Sequence, residues 1–264
     1  MSRYLRPLLF LLILSSVFTF NSCNQSGDNS PSTLNISLID SPGDYDEVNI
    51  EIDSVQVKFQ DNQWVSMKDF KKGIYNVLEY TAGHELFVTS QQIPSTLLTQ
   101  IRLMLGTDNS IVVKGNTYKL VTPGGTESGY KIIVNQSLDP GKDVQMVIDF
   151  DASSSIRESS GLYLLRPVIR AYNKSNTGSI SGKILPENLN ISVQVYDNGI
   201  VASTYAPKGV SDFVVSGLPE GTYKVIFDPG TQSGYQQFTT DQNIEVTKGK
   251  DTDIGSMSVQ PEGK

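Results

Sequence analysis

The stretch VNIEIDSVQVKF, residues 48–59, alternates apolar and polar side chains in two halves whose phases disagree. Val48, Ile50 and Ile52 share one face of an extended chain. Val55, Val57 and Phe59 join that face only if one extra residue intervenes. A β-bulge at Asp53 or Ser54 supplies it and keeps both halves toward a single core. Upstream, LNISLI repeats the period of two with Leu34, Ile36 and Leu38 on one side. Downstream, further strands are expected at 64–67, 86–90, 100–105, 111–114, 117–121, 130–134, 144–150 and 162–170. Helix signals are few and short: Val77 to Tyr80, a turn at Pro94 to Leu98, and Ser153 to Glu158. Many short strands without long helices predict an all-β chain built of antiparallel sandwiches rather than a βαβ fold.

The first of these sandwiches spans 33–172. AYNKSNTGS, residues 171–179, has high polarity and no period, and reads as a linker or boundary loop. A smaller β unit follows over 178–260, with strands near 179–185, 190–196, 199–204, 211–216, 222–228, 234–238, 242–247 and 253–260. Ile191, Val193 and Val195 share one face there, as do Tyr223, Val225 and Phe227. About eighty residues suffice for a seven-stranded sandwich.

The amino terminus is of a different kind. Arg3 and Arg6 precede an apolar run from Leu8 to Val17, the pattern of an export signal, and the run is short of the roughly 20 residues a bilayer span needs. FNSC, residues 20–23, resembles a bacterial lipobox, in which the cysteine becomes the acylated first residue of the mature protein. Phe20 departs from the usual Leu, whereas the small Ser22 fits. The alternative is an ordinary secretory signal cut after Ser22, which leaves a free thiol. The resemblance makes 1–22 a signal peptide, Cys23 the lipidation site and 24–32 (NQSGDNSPS) a polar tether. More than one acyl chain is needed for stable anchoring, at about 0.8 kcal/mol per buried methylene. Loss of residues 1–22 deepens the formal charge from -7 to -9, so charge does not hold the chain to an anionic membrane.

Two more resemblances bear on the folded part. GSISGKI and FVVSGLPEGTYKVIF, residues 178–184 and 213–227, resemble the carboxypeptidase-regulatory or transthyretin-like β-sandwich module, usually accessory and noncatalytic. Within it Gly221 would supply a turn conformation costly for other residues, Pro219 would preset the turn and Tyr223 would begin the inward face. SLIDSPGDYDEVNIEIDSVQV, TQIRLMLGTDNSIVV, SGYKIIVNQSLDPGKDVQMVIDFDASSSI and LLRPVIR resemble an uncharacterised domain of bacterial, especially Bacteroidetes-type, lipoproteins. That resemblance implies an exported, Ig-like β domain and no established chemistry.

Among candidate sites, IDSPGDYDE gathers Asp40, Asp44 and Asp46, with Pro42 and Gly43 to shape a turn. Asp149 and Asp151 could add oxygen ligands to a bound calcium ion, which takes six to eight of them. The spacing is not that of an EF-hand. The competing reading is an Asx-type turn in which the carboxylates hold backbone amides. Paired carboxylates drawn from Asp40, Asp44, Asp149 and Asp151 also leave room for a hydrolase. His84, the single histidine, lacks a second histidine at metalloprotease spacing, and no nucleophile elbow accompanies it. GGTESG, residues 124–129, lacks the Lys-Ser/Thr of a phosphate-binding loop and is expected as a hairpin or surface loop. Cys23, the one cysteine, permits neither an internal disulfide nor a thiolate metal cluster.

The acidic balance, 21 basic against 28 acidic side chains, carries no basic stripe and argues against nucleic acid as a partner. Of 23 aromatic residues, Tyr45, Tyr80, Tyr130, Tyr205 and Tyr235 lie in turn-rich contexts that could expose a ring, and Trp64 is expected as a core plug. The expectation is a noncatalytic outer-membrane lipoprotein of the bacterial envelope, needing no cofactor, that presents sandwich loops for adhesion, assembly or ligand binding. Its partners would be the membrane, through the anchor, and an envelope protein or a glycan. A glycan-binding module is the main alternative.

Overall fold

The computed structural model describes residues 30–263 apart from Pro42 and Ala82, so the export signal and Cys23 lie outside the described residues. The first unit contains β1 (Ser32–Ser41), β2 (Glu47–Phe59), β3 (Trp64–Ser66), β4 (Gly73–Asn76), β5 (Leu86–Ile93), β6 (Leu97–Leu105), β7 (Ser110–Val113) and β8 (Asn116–Val121). It continues with β9 (Tyr130–Ser137), β10 (Asp143–Asp151), a one-turn helix α1 (Ala152–Ser155), β11 (Ile156–Ser159), β12 (Leu162–Leu165) and β13 (Val168–Asn173). One sheet runs β13-β10-β1-β5 and the other β11-β12-β8-β7-β2-β6-β9, with β3 and β4 also on β2. Leu34, Ile36 and Leu38 of β1 meet Ile50 and Val57 of β2, Ile101 and Leu103 of β6, and Ile148 and Phe150 of β10 in one apolar core. Its burial supplies the main drive for closing the sandwich, at about 25 cal/mol per Å² of apolar surface.

The opening stretch is all β2. Its register against β6 shifts between Ile52 and Ser54, at the predicted bulge, and both apolar triplets are buried.

The second unit contains β14 (Gly178–Leu185), β15 (Ile191–Tyr196), β16 (Ile200–Ala206), β17 (Asp212–Leu218), β18 (Gly221–Asp228), β19 (Phe238–Thr239), β20 (Ile244–Val246) and β21 (Asp251–Ser258). Its sheets run β17-β14-β21 and β16-β15-β18-β19, with β20 on β18. Phe213 and Phe227 meet edge to face at 5.5 Å in a core of their own.

The chain is all-β, in two sandwiches, but they are not purely antiparallel. β1 pairs in parallel with β10, β8 with β12, and β14 with β21. Parallel partners need long connections, so alternation along one strand cannot reveal them. The linker or boundary loop expected at 171–179 is confined to a shorter stretch. β13 runs to Asn173, a single 3-10 turn covers Lys174–Asn176, and β14 starts at Gly178. The polar residues there cap and turn the chain: the Asn173 carbonyl side chain accepts from Ser175 N–H at 3.0 Å.

Smaller differences have local causes. The expected strand 162–170 breaks at Arg166 and Pro167, because proline has no N–H for a ladder. The helix expected at 153–158 stops at Ser155, and Ile156 begins β11. In the GLPEGTY segment the left-handed conformation belongs to Gly217, φ +71°, rather than Gly221. Tyr223 is buried as expected, and its hydroxyl donates to the Pro219 carbonyl at 2.8 Å. Trp64 is not a core plug: it lies half-buried on the outer side, with the Arg102 guanidinium 4.0 Å and the Lys58 ammonium 5.7 Å from its ring centre.

Candidate functional site

The polar chemistry of the chain concentrates where the two sandwiches meet. Along β10 the core takes Met146, Ile148 and Phe150, which turns Val147, Asp149 and Asp151 to the opposite face of the sheet. β13 runs antiparallel beside it, with Arg170 directly opposite Asp149. Asp149 is 5% exposed. Its Oδ2 accepts from Arg170 Nε at 2.8 Å and lies 2.6 Å from Nη2. The same guanidinium crosses to the second unit, donating to the carbonyls of Gly217 at 3.0 Å and Ser216 at 2.6 Å. One side chain therefore neutralises a buried carboxylate and satisfies two carbonyls of the neighbouring sandwich.

Four further contacts flank this clasp. Ser41 Oγ donates to the Ser203 carbonyl at 2.7 Å, and Ser203 Oγ returns a bond to Asp151 Oδ2 at 3.1 Å. Lys174 pairs with Glu85. Tyr172 packs so closely on Gly217 that a Cβ there would stand 2.3 Å from the ring, so the side-chain-free, left-handed Gly217 is what admits the tyrosine.

Asp40 sits at the end of β1 on the core-facing side, 3% exposed. Its Oδ1 accepts from Ala152 N–H at 3.0 Å, while Oδ2 has no hydrogen-bond partner. Burial pushes the Asp40 carboxyl well above the usual carboxylate range; the Ala152 amide opposes this, and the charges of Asp149 and Asp151 add to it. Burial also raises Asp149, against the lowering effect of Arg170.

The structure thus gathers Asp40, Asp149 and Asp151 and leaves Asp44 and Asp46 exposed elsewhere. Asp46 Oδ2 accepts from Gly115 N–H at 2.8 Å on the β7–β8 turn. Asp151 Oδ1 caps α1 through Ser154 N–H at 2.8 Å and accepts from Ser153 Oγ at 2.7 Å. Asp40 and Asp46 do hold backbone amides, but of segments distant in sequence rather than of their own turn, whereas Asp151 holds the amide of the local turn that follows it. Among the described residues no group of three or more His, Cys, Asp or Glu side chains is placed to hold a metal ion. His84 is exposed, and GGTESG forms the loop between β8 and β9. Arg170, Tyr172, Ser203 and Gly217 escaped the sequence reading. The one available signal was Arg170 directly after the apolar Pro167–Ile169 of LLRPVIR, a placement that asks for a partner.

Hollows follow the same seam. One of about 290 Å³ lies among Asp149, Asp151, Ser153, Gln194 and Ser203. A wider cleft of about 630 Å³ lies between Asp44 and the loops of the second unit, and the two share Ser192. Tyr45, Tyr80, Tyr130, Tyr205 and Tyr235 are all half-buried rather than freely exposed.

Residues 31–167, more than half of the chain, match the family described as "Domain of unknown function (DUF4382)". The chain belongs to the DUF4382 family. The matched region covers β1 to β12 of this DUF4382 protein and stops just before the strand that carries Arg170. No curated protein matches the sequence. Among solved structures, the Bacillus anthracis TIE protein is 12% identical over 88% of this chain and 35% of that one, with a TM-score of 0.25. The minor pilin GBS52 of Streptococcus agalactiae is 12% identical over 87% and 98%, with a TM-score of 0.25. The shaft pilin SpaA of Lactobacillus rhamnosus GG is 10% identical over 89% and 100%, with a TM-score of 0.23. The DUF4382 chain spans about a third of the TIE protein's length. Likeness at this level transfers no function.

Proposed function

We propose that this DUF4382 protein is a noncatalytic envelope protein, anchored by acylation of Cys23 in the outer membrane, that holds its two sandwiches out as one rigid unit for adhesion, assembly or ligand binding. The observation that carries the rigid part is the Arg170 clasp, in which a single guanidinium ties Asp149 of one sandwich to two carbonyls of the other. The connection of only three residues between Asn173 and Thr177 supports it further. The polar stretch 24–32 then gives reach, and the loops at the seam give contact surface.

Metabolic labelling with an alkyne fatty acid tests the anchor. The wild-type chain should incorporate label and partition into membranes, whereas Cys23→Ser should do neither. Equal labelling of the two proteins refutes the anchor. Protease shaving of intact cells then separates the faces of the membrane, because digestion without lysis requires surface display.

A further inference from the structure

The wide cleft at the seam has a floor set by strand register. Across three adjacent strands of the second unit Tyr205, Ser192 and Asp228 stand in one row, each opposite the next, on the outward side of the sheet. Val193 and Val195 take the core side, so Ser192 and Gln194 face out. A short serine between a tyrosine and an aspartate makes a trough. Asp44 of the first unit and the 228–233 turn also line it. That turn is held by its own bonds: Asp228 Oδ1 accepts from Gly230 N–H at 2.8 Å, and Ser233 Oγ donates to the Gly230 carbonyl at 2.7 Å. Asn188, Lys208 and Gln232 line the trough with exposed side chains.

We infer that this trough binds a neutral glycan chain, with Tyr205 as the wall for the apolar face of a sugar ring and Asp228, Asn188 and Gln232 as partners for its hydroxyls. Carboxylates and side-chain amides offer paired acceptors and donors, the pattern that adjacent sugar hydroxyls present. The volume falls within the roughly 300–1,000 Å³ of ligand sites. Asp44 and Asp228 outweigh Lys208, which disfavours a phosphate or other polyanion. Leu189, Pro229 and the Tyr205 ring supply apolar surface among these hydroxyl, amide and carboxylate groups, the mixture that the apolar face and hydroxyl rim of a sugar ring call for. The trough runs on past Ser192 toward Gln194, so an extended chain suits it better than a single ring. The inference gives a ligand to the presenting role proposed above, but binding in solution does not depend on the anchor, so the two can fail separately.

The test is native affinity electrophoresis of the full chain in a polyoxyethylene detergent, which carries no sugar. Gels contain dextran, mannan, xylan or laminarin, with polygalacturonate and chitosan as charged comparisons. At least one neutral polysaccharide should retard the protein. Tyr205→Ala should weaken that retardation about tenfold or more, as loss of a central aromatic contact does. Because Tyr205 also packs, the exposed pair Asn188→Ala/Gln232→Ala, checked for an unchanged melting temperature, should weaken it too. Ile133→Ser, on the distant β9, should not. Retardation by no neutral polysaccharide, retardation by the charged polymers only, or unchanged retardation in the Asn188/Gln232 double variant overturns the inference.

Discussion

Replacing Arg170 by alanine tests the seam most directly. The change removes the cation beside a carboxylate that is 5% exposed and takes the donors from the carbonyls of Ser216 and Gly217. Breaking a buried ion pair from one side costs about 3–5 kcal/mol. The Arg170 side chain keeps 32% exposure, so water can partly replace it, and the low end, about 3 kcal/mol, is expected. For a chain of this size that lowers the melting temperature by about 6–12 °C. Calorimetry should also show the single transition separating into two, because the sandwiches lose their shared buried contact. Adding Asp149→Asn removes the stranded charge, so the double variant should recover part of the loss, and the two changes should be non-additive by about 1 kcal/mol or more. Arg170→Lys keeps charge without the planar fork and should fall between. The sign with pH follows from Asp149, whose carboxyl is already raised by burial and rises further without its cation. Without the cation the fold disfavours the ionised Asp149, so the Arg170→Ala deficit should be smallest near the ordinary carboxylate value of 3.8, where only the lost carbonyl donors count, and grow as pH rises through the native value. A melting temperature within about 2 °C of wild type, or strict additivity with Asp149→Asn, refutes the reasoning.

Asp40 offers a second test of linkage. Its raised carboxyl means that the wild-type protein loses stability as pH climbs from 3.8 through the native value. Asp40→Asn keeps an acceptor for Ala152 N–H without the buried charge, so urea midpoints should become flatter with pH, with a neutral-pH gain of about 1–3 kcal/mol. A uniform loss at every pH contradicts this. Gly217→Ala forces a Cβ to 2.3 Å from the Tyr172 ring at a φ of +71°. Chemical denaturation should show a loss of about 1–3 kcal/mol, partly relieved by Tyr172→Ala, and no loss would mean that the approach of Tyr172 is not a packing constraint.

The fold was legible wherever one face of a strand meets a core. Leu34, Ile36 and Leu38, or Val193 and Val195, announce themselves by alternation, and the bulge in β2 is readable because a slip of one residue exchanges the faces of everything after it. Short strands such as Gly73–Asn76 were not legible, since Ile74 there is exposed and the segment pairs through backbone groups common to every residue. The acidic residues could be named but not sorted. Asp40 and Asp46 lie six positions apart in one segment, yet one ends in the core of the first sandwich and the other caps a turn at the surface. Their separation depends on partners 69 to 112 residues away. The partners of Arg170 were hidden for the same reason, since nothing local marks Ser216 and Gly217 as its acceptors.

The strand Val168–Asn173 lies beyond the last residue matched to the DUF4382 family, yet it closes the β10 side of the first sandwich. A fragment cut at residue 167 would therefore leave the hydrogen-bonding edge of β10 bare from Met146 to Asp151, with the otherwise buried Val147 exposed beside it. Such an edge is a template for strand addition between molecules, so the truncated piece should self-associate, and one extended through Asn173 carries its own cover.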